Sequence, residues 1–118
     1  MKIFLALLLS LQCLIARAEG WTTTDTAYQA VLTLELYEDC RQTQEIAQSP
    51  VRHEVNPLLG PRPSAVKVRN YFLLSAVAEA GIAYSLPEGM RRSYQTLAMT
   101  FEFYVIKHNV GTGFKLVF

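Results

Sequence analysis

The residues of this chain best suited to chemistry are four acids set in or beside apolar stretches, Glu35, Asp39, Glu79 and Glu102, together with two histidines, His53 and His108. Paired carboxylates can move protons, and carboxylates with histidines can hold a metal, but each use demands a spacing. A carboxylate-bridged metal site in a helical bundle wants Glu-x-x-His pairs on facing helices. Here Glu102 and His108 fall on different faces of a helix, and His53-Glu54 lies in a proline-rich stretch. The His-Glu-x-x-His pattern of hydrolytic zinc, the Gly-x-Ser-x-Gly turn of serine hydrolases and a glycine-rich phosphate loop are all missing from the sequence. The expectation is a chain that is not an enzyme, with no catalytic, cofactor-binding or metal-ligating residue.

Acids kept inside an apolar bundle then need partners, because an unpaired buried carboxylate costs several kcal/mol or keeps its proton. For Glu79 and Glu102 the sequence offers Arg69, Asn70, Gln95 and Asn109. The alternative is that each glutamate faces water. The residues read as candidate buried polar or interaction sites are Asp39, Thr43, Glu54, Asn56, Glu79, Glu102 and Asn109.

Three helices are expected to position them. Trp21-Thr22-Thr23-Thr24-Asp25 supplies N-cap residues before a stretch free of Gly and Pro, from Thr26 to Ser49. Its first half is apolar nearly all round and its second half, from Glu38 to Glu45, is polar. Leu32, Leu36, Asp39, Thr43 and Ile46 recur at spacings of three and four and so share one face. Polar residues on that packing face predict that the helix leaves the core there. Four of the five prolines, Pro50, Pro57, Pro61 and Pro63, make residues 49–64 a connector, and its Leu58-Leu59 pair predicts that it folds back onto the helices. Ser64 can cap a second helix from Ala65 to Leu86, stopped by Pro87.

The third helix is expected from Met90 to Asn109, with Asn109 to Gly111 able to end it. Phe101-Glu102-Phe103-Tyr104-Val105-Ile106 suits a strand as well, so a C-terminal β-hairpin packed on two helices is the alternative. Phe114, Leu116 and Phe118 alternate like the last strand of an outer-membrane barrel. Such barrels need at least eight strands, which this chain cannot supply. The predicted class is all-α, a bundle of about three helices with a short extended tail.

Ahead of the bundle, Met1-Lys2, the apolar run Ile3 to Ile15 and Ala16-Arg17-Ala18 have the layout of a cleavable secretory signal, residues 1–18, leaving a single domain over residues 19–118. The run is too short to span a bilayer comfortably. Gln12 before Cys13 argues against lipidation. Removing Lys2 and Arg17 from the eleven basic residues leaves nine against ten acids, so the net charge becomes about −1 and no nucleic-acid partner is expected. Cys13 is lost as well, and Cys40 alone predicts a buried thiol with no internal disulfide.

Several of these segments together resemble a known group. Trp21-Thr22-Thr23 with Asp25, Asp39 with Gln42-Thr43, the core Glu54-Val55-Asn56-Pro57-Leu58-Leu59-Gly60 with Pro63-Ser64, and Asn70-Tyr71-Phe72 are similar to an uncharacterised family of small signal-bearing proteins encoded by tailed phages and bacterial prophages. The resemblance implies a bacterial or phage setting and export through the inner membrane, and carries over no catalytic residue. With Glu79 in mid-helix, where a charge at a bilayer centre costs about 3 kcal/mol, the second helix is a poor span. Arg52, Arg62, Lys67 and Arg69 would also sit on the wrong side of the membrane for a two-span hairpin. The expectation is an exported, non-catalytic protein of the periplasm or inner-membrane surface that binds a membrane surface or an envelope protein. The alternative is a small lysis-related enzyme or inhibitor.

Overall fold

Thr22 and Asp25 start the first helix by capping each other. The Thr22 hydroxyl accepts from the Asp25 amide at 3.1 Å, and the Asp25 carboxylate accepts from the Thr22 amide at 2.9 Å. This reciprocal pair satisfies two amides that a helix start leaves without partners. In the computed structural model, residues 20–116 and Ala6 are described, so the expected signal segment and its cleavage lie outside the described residues, as do Val117 and Phe118. Helix α1 runs Thr23–Gln48, α2 runs Ala65–Ser85 and α3 runs Glu88–Gly111. Ser64 caps α2 through the Lys67 amide. Pro87 turns the chain directly into α3, whose first turn closes with the Arg91 amide on the Pro87 carbonyl.

The fold is a small all-α bundle in which α1 is the hub. Helix α2 returns antiparallel to α1, and α3 runs parallel to it, while α2 and α3 meet each other far less than either meets α1. The two faces of α1 differ. Toward α2 it presents Leu32, Leu36 and Cys40, which pack with Val68, Phe72 and Ala76 and with Leu59 of the connector in one apolar cluster. Toward α3 it presents a ladder of polar side chains: Asp25 meets Arg91, Gln29 meets Gln95, and Asp39 and Gln42 meet Asn109. Burying apolar area drives the first contact and matched hydrogen bonds specify the second.

Three sequence expectations need correction or completion. The second half of α1 does not leave the core: Glu38, Gln42 and Thr43 are 1%, 1% and 3% exposed, and Asp39 is 9% exposed. Asn109 of α3 donates to Asp39 and Gln42, and Glu38 pairs with Arg41 on α1 itself, so much of this polar stretch is satisfied inside. The hairpin alternative is not formed, since residues 101–111 continue α3; its β-branched and aromatic residues are absorbed into a helix whose Ile106 is buried. The connector does fold back, but its leucines divide, Leu59 entering the core and Leu58 staying 70% exposed. Gly60, at φ +78°, ends the turn begun at Asn56, where a side chain would strain the backbone. Cys40 is a free, fully buried thiol, its pKa pushed up to about 12 by burial and by the neighbouring Asp39 charge.

Candidate functional site

The prominent concavity is a groove of about 750 Å³ between α2 and α3, floored by α1 and closed at one end by the connector. The two walls are joined through Leu86 and Pro87. A hydrogen bond from the Tyr94 hydroxyl to Glu79 ties α3 to α2. Burial first, then the Glu79 bond and charge, raise the Tyr94 hydroxyl well above the ordinary tyrosine range.

All seven residues singled out from sequence line this groove. Asp39 and Thr43 rise from its floor on α1, Glu54 and Asn56 come from the connector, Glu79 from α2, and Glu102 and Asn109 from α3. They are not linked as expected, because none of the four partners offered by the sequence bonds to either glutamate. Glu79 takes Tyr94, Gln95 donates to the Asp25 carbonyl and to Gln29, and Asn109 donates to Asp39 at 3.2 Å and to Gln42 at 2.9 Å. The aromatic ring of Tyr94, the residue just before Gln95, carries a donor that spacing alone does not reveal.

The electrostatics of the groove are one-sided. Burial, the Glu54 charge and the Glu38 charge lift Asp39 to about 7, against the downward pull of Asn109. Burial, followed by Asp39, Glu79 and Glu35, lifts Glu102 to about 8. Glu35, beside them, is lifted to about 7 by burial. Oε2 of Glu102 is buried and makes no hydrogen bond among the described residues. Three basic residues of the connector and the start of α2 are engaged elsewhere. Arg52 donates to the Thr112 carbonyl and lies over the Phe114 ring at 4.1 Å, Arg62 donates to the Pro50 carbonyl, and Lys67 donates to the Leu59 carbonyl. His53 and His108 reach the groove wall, but neither makes an ion pair with the acids among the described residues.

A second polar centre, which the sequence reading did not single out, sits at the opposite end of α1. Asp25, fully buried, receives Arg91 at 3.1 Å and Arg92 at 3.5 Å. Arg91 also donates to the carbonyls of Gly20, Ala83 and Leu86, so one guanidinium ties the entry to α1 to the carbonyl end of α2. Trp21 covers it at 5.0 Å. Burial raises the Asp25 pKa, but the Thr22 hydrogen bonds and Arg91 outweigh it and hold the group below its usual range. The signal in the sequence was Arg91-Arg92 in the first turn of α3, where basic residues oppose the helix dipole and so call for a specific partner.

The groove has no cluster able to hold a metal ion: among the described residues no three His, Cys, Asp or Glu side chains converge. No helix among the described residues is long and apolar enough to cross a membrane. Comparison with family models, with curated proteins and with solved structures found no match to this chain.

Proposed function

We propose that this is a non-catalytic protein of the bacterial cell envelope, phage-encoded and exported, that acts by binding an envelope protein in the groove between α2 and α3. The observation that carries this reading is the makeup of the groove: unneutralised acids on its floor and walls, with large apolar side chains left bare around its mouth. Val55 is 92% exposed, Phe101 64% and Tyr104 67%. Bare apolar groups gathered at a concavity mark a surface that another molecule covers. Export is supported by the basic start, the apolar run and Ala16-Arg17-Ala18, and a phage setting by the segments from Trp21 to Phe72 named above.

The test is expression of the full chain in bacterial cells, with a photo-crosslinking aromatic residue replacing Phe101 and, separately, Leu34 on the outer face of α1. The expected result is a chain of the mass left by removal of residues 1–18, outside the cytoplasm, with a discrete adduct from position 101 and none from position 34. An unprocessed cytoplasmic chain, or equal adducts from both positions, contradicts the proposal.

One observation favours the lysis-related reading instead. Glu102 retains a proton near neutral pH beside other acids, as a general acid for glycoside cleavage would. Loss of peptidoglycan turnover in Glu102→Gln and Glu54→Gln, with the fold intact, would select that reading.

A further inference from the structure

Both ends of α1 bury an aspartate, yet among the described residues a cation bonds Asp25 and none bonds Asp39. At the Asp25 end, the Arg91 guanidinium fills the space between a buried aspartate, backbone carbonyls and the Trp21 ring. At the Asp39 end the corresponding parts are present without it. Oδ1 of Asp39 accepts from Asn109, and its other oxygen has no partner among the described residues. Oε2 of Glu102 is also unpartnered. Thr43, on the groove floor and 3% exposed, has a hydroxyl that makes no hydrogen bond among the described residues. With the rest of Thr43 packed away, its hydroxyl opens onto the groove, where a ligand could take the place of a partner. Phe101, Tyr104 and Tyr71 supply the aromatic surface that Trp21 supplies at the other end.

Resting on the proposal that the groove binds an envelope protein, we infer that the partner inserts an arginine side chain, flanked by apolar residues, between Asp39, Thr43 and Glu102. A guanidinium presents five donors in a planar fork and no acceptor, which matches a floor of carboxylate and hydroxyl oxygens. Its stem is apolar and its plane stacks on aromatic faces, which matches the upper walls. The bare Val55, Phe101 and Tyr104 at the mouth are then covered by the residues flanking the arginine, in the arrangement of a central anchor sealed by an apolar rim. A free small cation would leave that rim in water.

The experiment is an NMR titration of the labelled chain, following the amides of Thr43, Val55 and Phe101, with three probes. These are n-hexylguanidinium, its uncharged counterpart n-hexylurea, and a short peptide carrying one arginine between leucines. The expected result is saturable shifts at Thr43 with the guanidinium, about tenfold tighter than with the urea, as charge-assisted hydrogen bonds allow. The peptide is expected to bind tighter still and to shift Val55 and Phe101. In Asp39→Asn/Glu102→Gln, whose fold is checked by circular dichroism, the preference for guanidinium over urea should fall to about twofold or less. Equal binding of guanidinium and urea overturns the arginine inference while leaving a groove that binds apolar partners. A guanidinium that binds as tightly as the peptide overturns the protein-borne source in favour of a free cation. No shift at Thr43 with any probe overturns the inference outright, and the crosslinking from position 101 then decides separately whether the groove has a partner.

Discussion

Asp25 and Asp39 sit on the same helix, four turns apart, and both are buried, at 0% and 9% exposed, yet they hold protons in opposite ways. Asp25 is met by two arginines and by the amide and hydroxyl of Thr22, and its pKa falls. Asp39 is met by one amide and the charges of Glu54 and Glu38, and its pKa rises to about 7. Burial pushes both carboxyls upward; the Thr22 hydrogen bonds and Arg91 outweigh it at Asp25, whereas at Asp39 the nearby acids add to it and Asn109 alone opposes it. The Asp25 end is a finished structural joint, closing the helix ends against one another. The Asp39 end is left electrostatically incomplete, at a cost to stability, which is how binding sites commonly differ from the scaffold that carries them.

The largest expected effect comes from breaking the finished end. Arg91→Met removes the cation from a buried aspartate and from three carbonyls, and should lower unfolding free energy by about 3–5 kcal/mol in urea denaturation. A loss below about 1 kcal/mol would mean that Arg91 is a solvated surface residue. The next effect is a pH dependence of opposite sign at the two ends. Between pH 4 and pH 8 the folded chain keeps protons on Asp39 and Glu102 that the unfolded chain has released, so stability should fall as pH rises through that window. The fall should be about 4 kcal/mol or more, and it should shrink in Asp39→Asn/Glu102→Gln to the part that Glu35, also raised to about 7, still contributes. The lowered pKa of Asp25 works in the other direction, adding stability above the ordinary carboxylate range that is lost as the solution becomes more acidic than its folded value.

A smaller effect is expected in the middle of the ladder. Gln95→Leu leaves the Gln29 side chain without its amide partner and should cost about 1–3 kcal/mol. Smallest is Thr43→Val, where no hydrogen bond is lost among the described residues, and a change within about 1 kcal/mol is expected. A larger loss would show that the hydroxyl is already satisfied and would count against an unfilled groove floor.

Much of this arrangement could be read from residue order. The caps at Thr22 and Ser64, the prolines of the connector and the Leu32, Leu36, Asp39, Thr43, Ile46 stripe predict three helices and the face that α1 buries. That the polar part of the stripe stays buried was not legible, because the answer lies 70 residues away at Asn109, which joins Asp39 only when α3 runs parallel to α1. The same long separation hid the Asp25 joint. Read locally, Asp25 is a capping residue and Arg91-Arg92 a basic pair after a turn; only the return of the chain through α2 makes them one site. Glu79 illustrates the complementary limit. A buried acid predicts a partner, but the partner was a tyrosine hydroxyl and not one of the arginine or amide side chains that spacing suggested.

The most direct measurement is a carbon-detected NMR titration of the side-chain carboxyls in the folded chain. The contrast between the two ends of α1 predicts Asp25 below the usual aspartate range, Asp39 near 7 and Glu102 near 8. Asp39 and Glu102 titrating together near 4, as solvated carboxyls do, would contradict it.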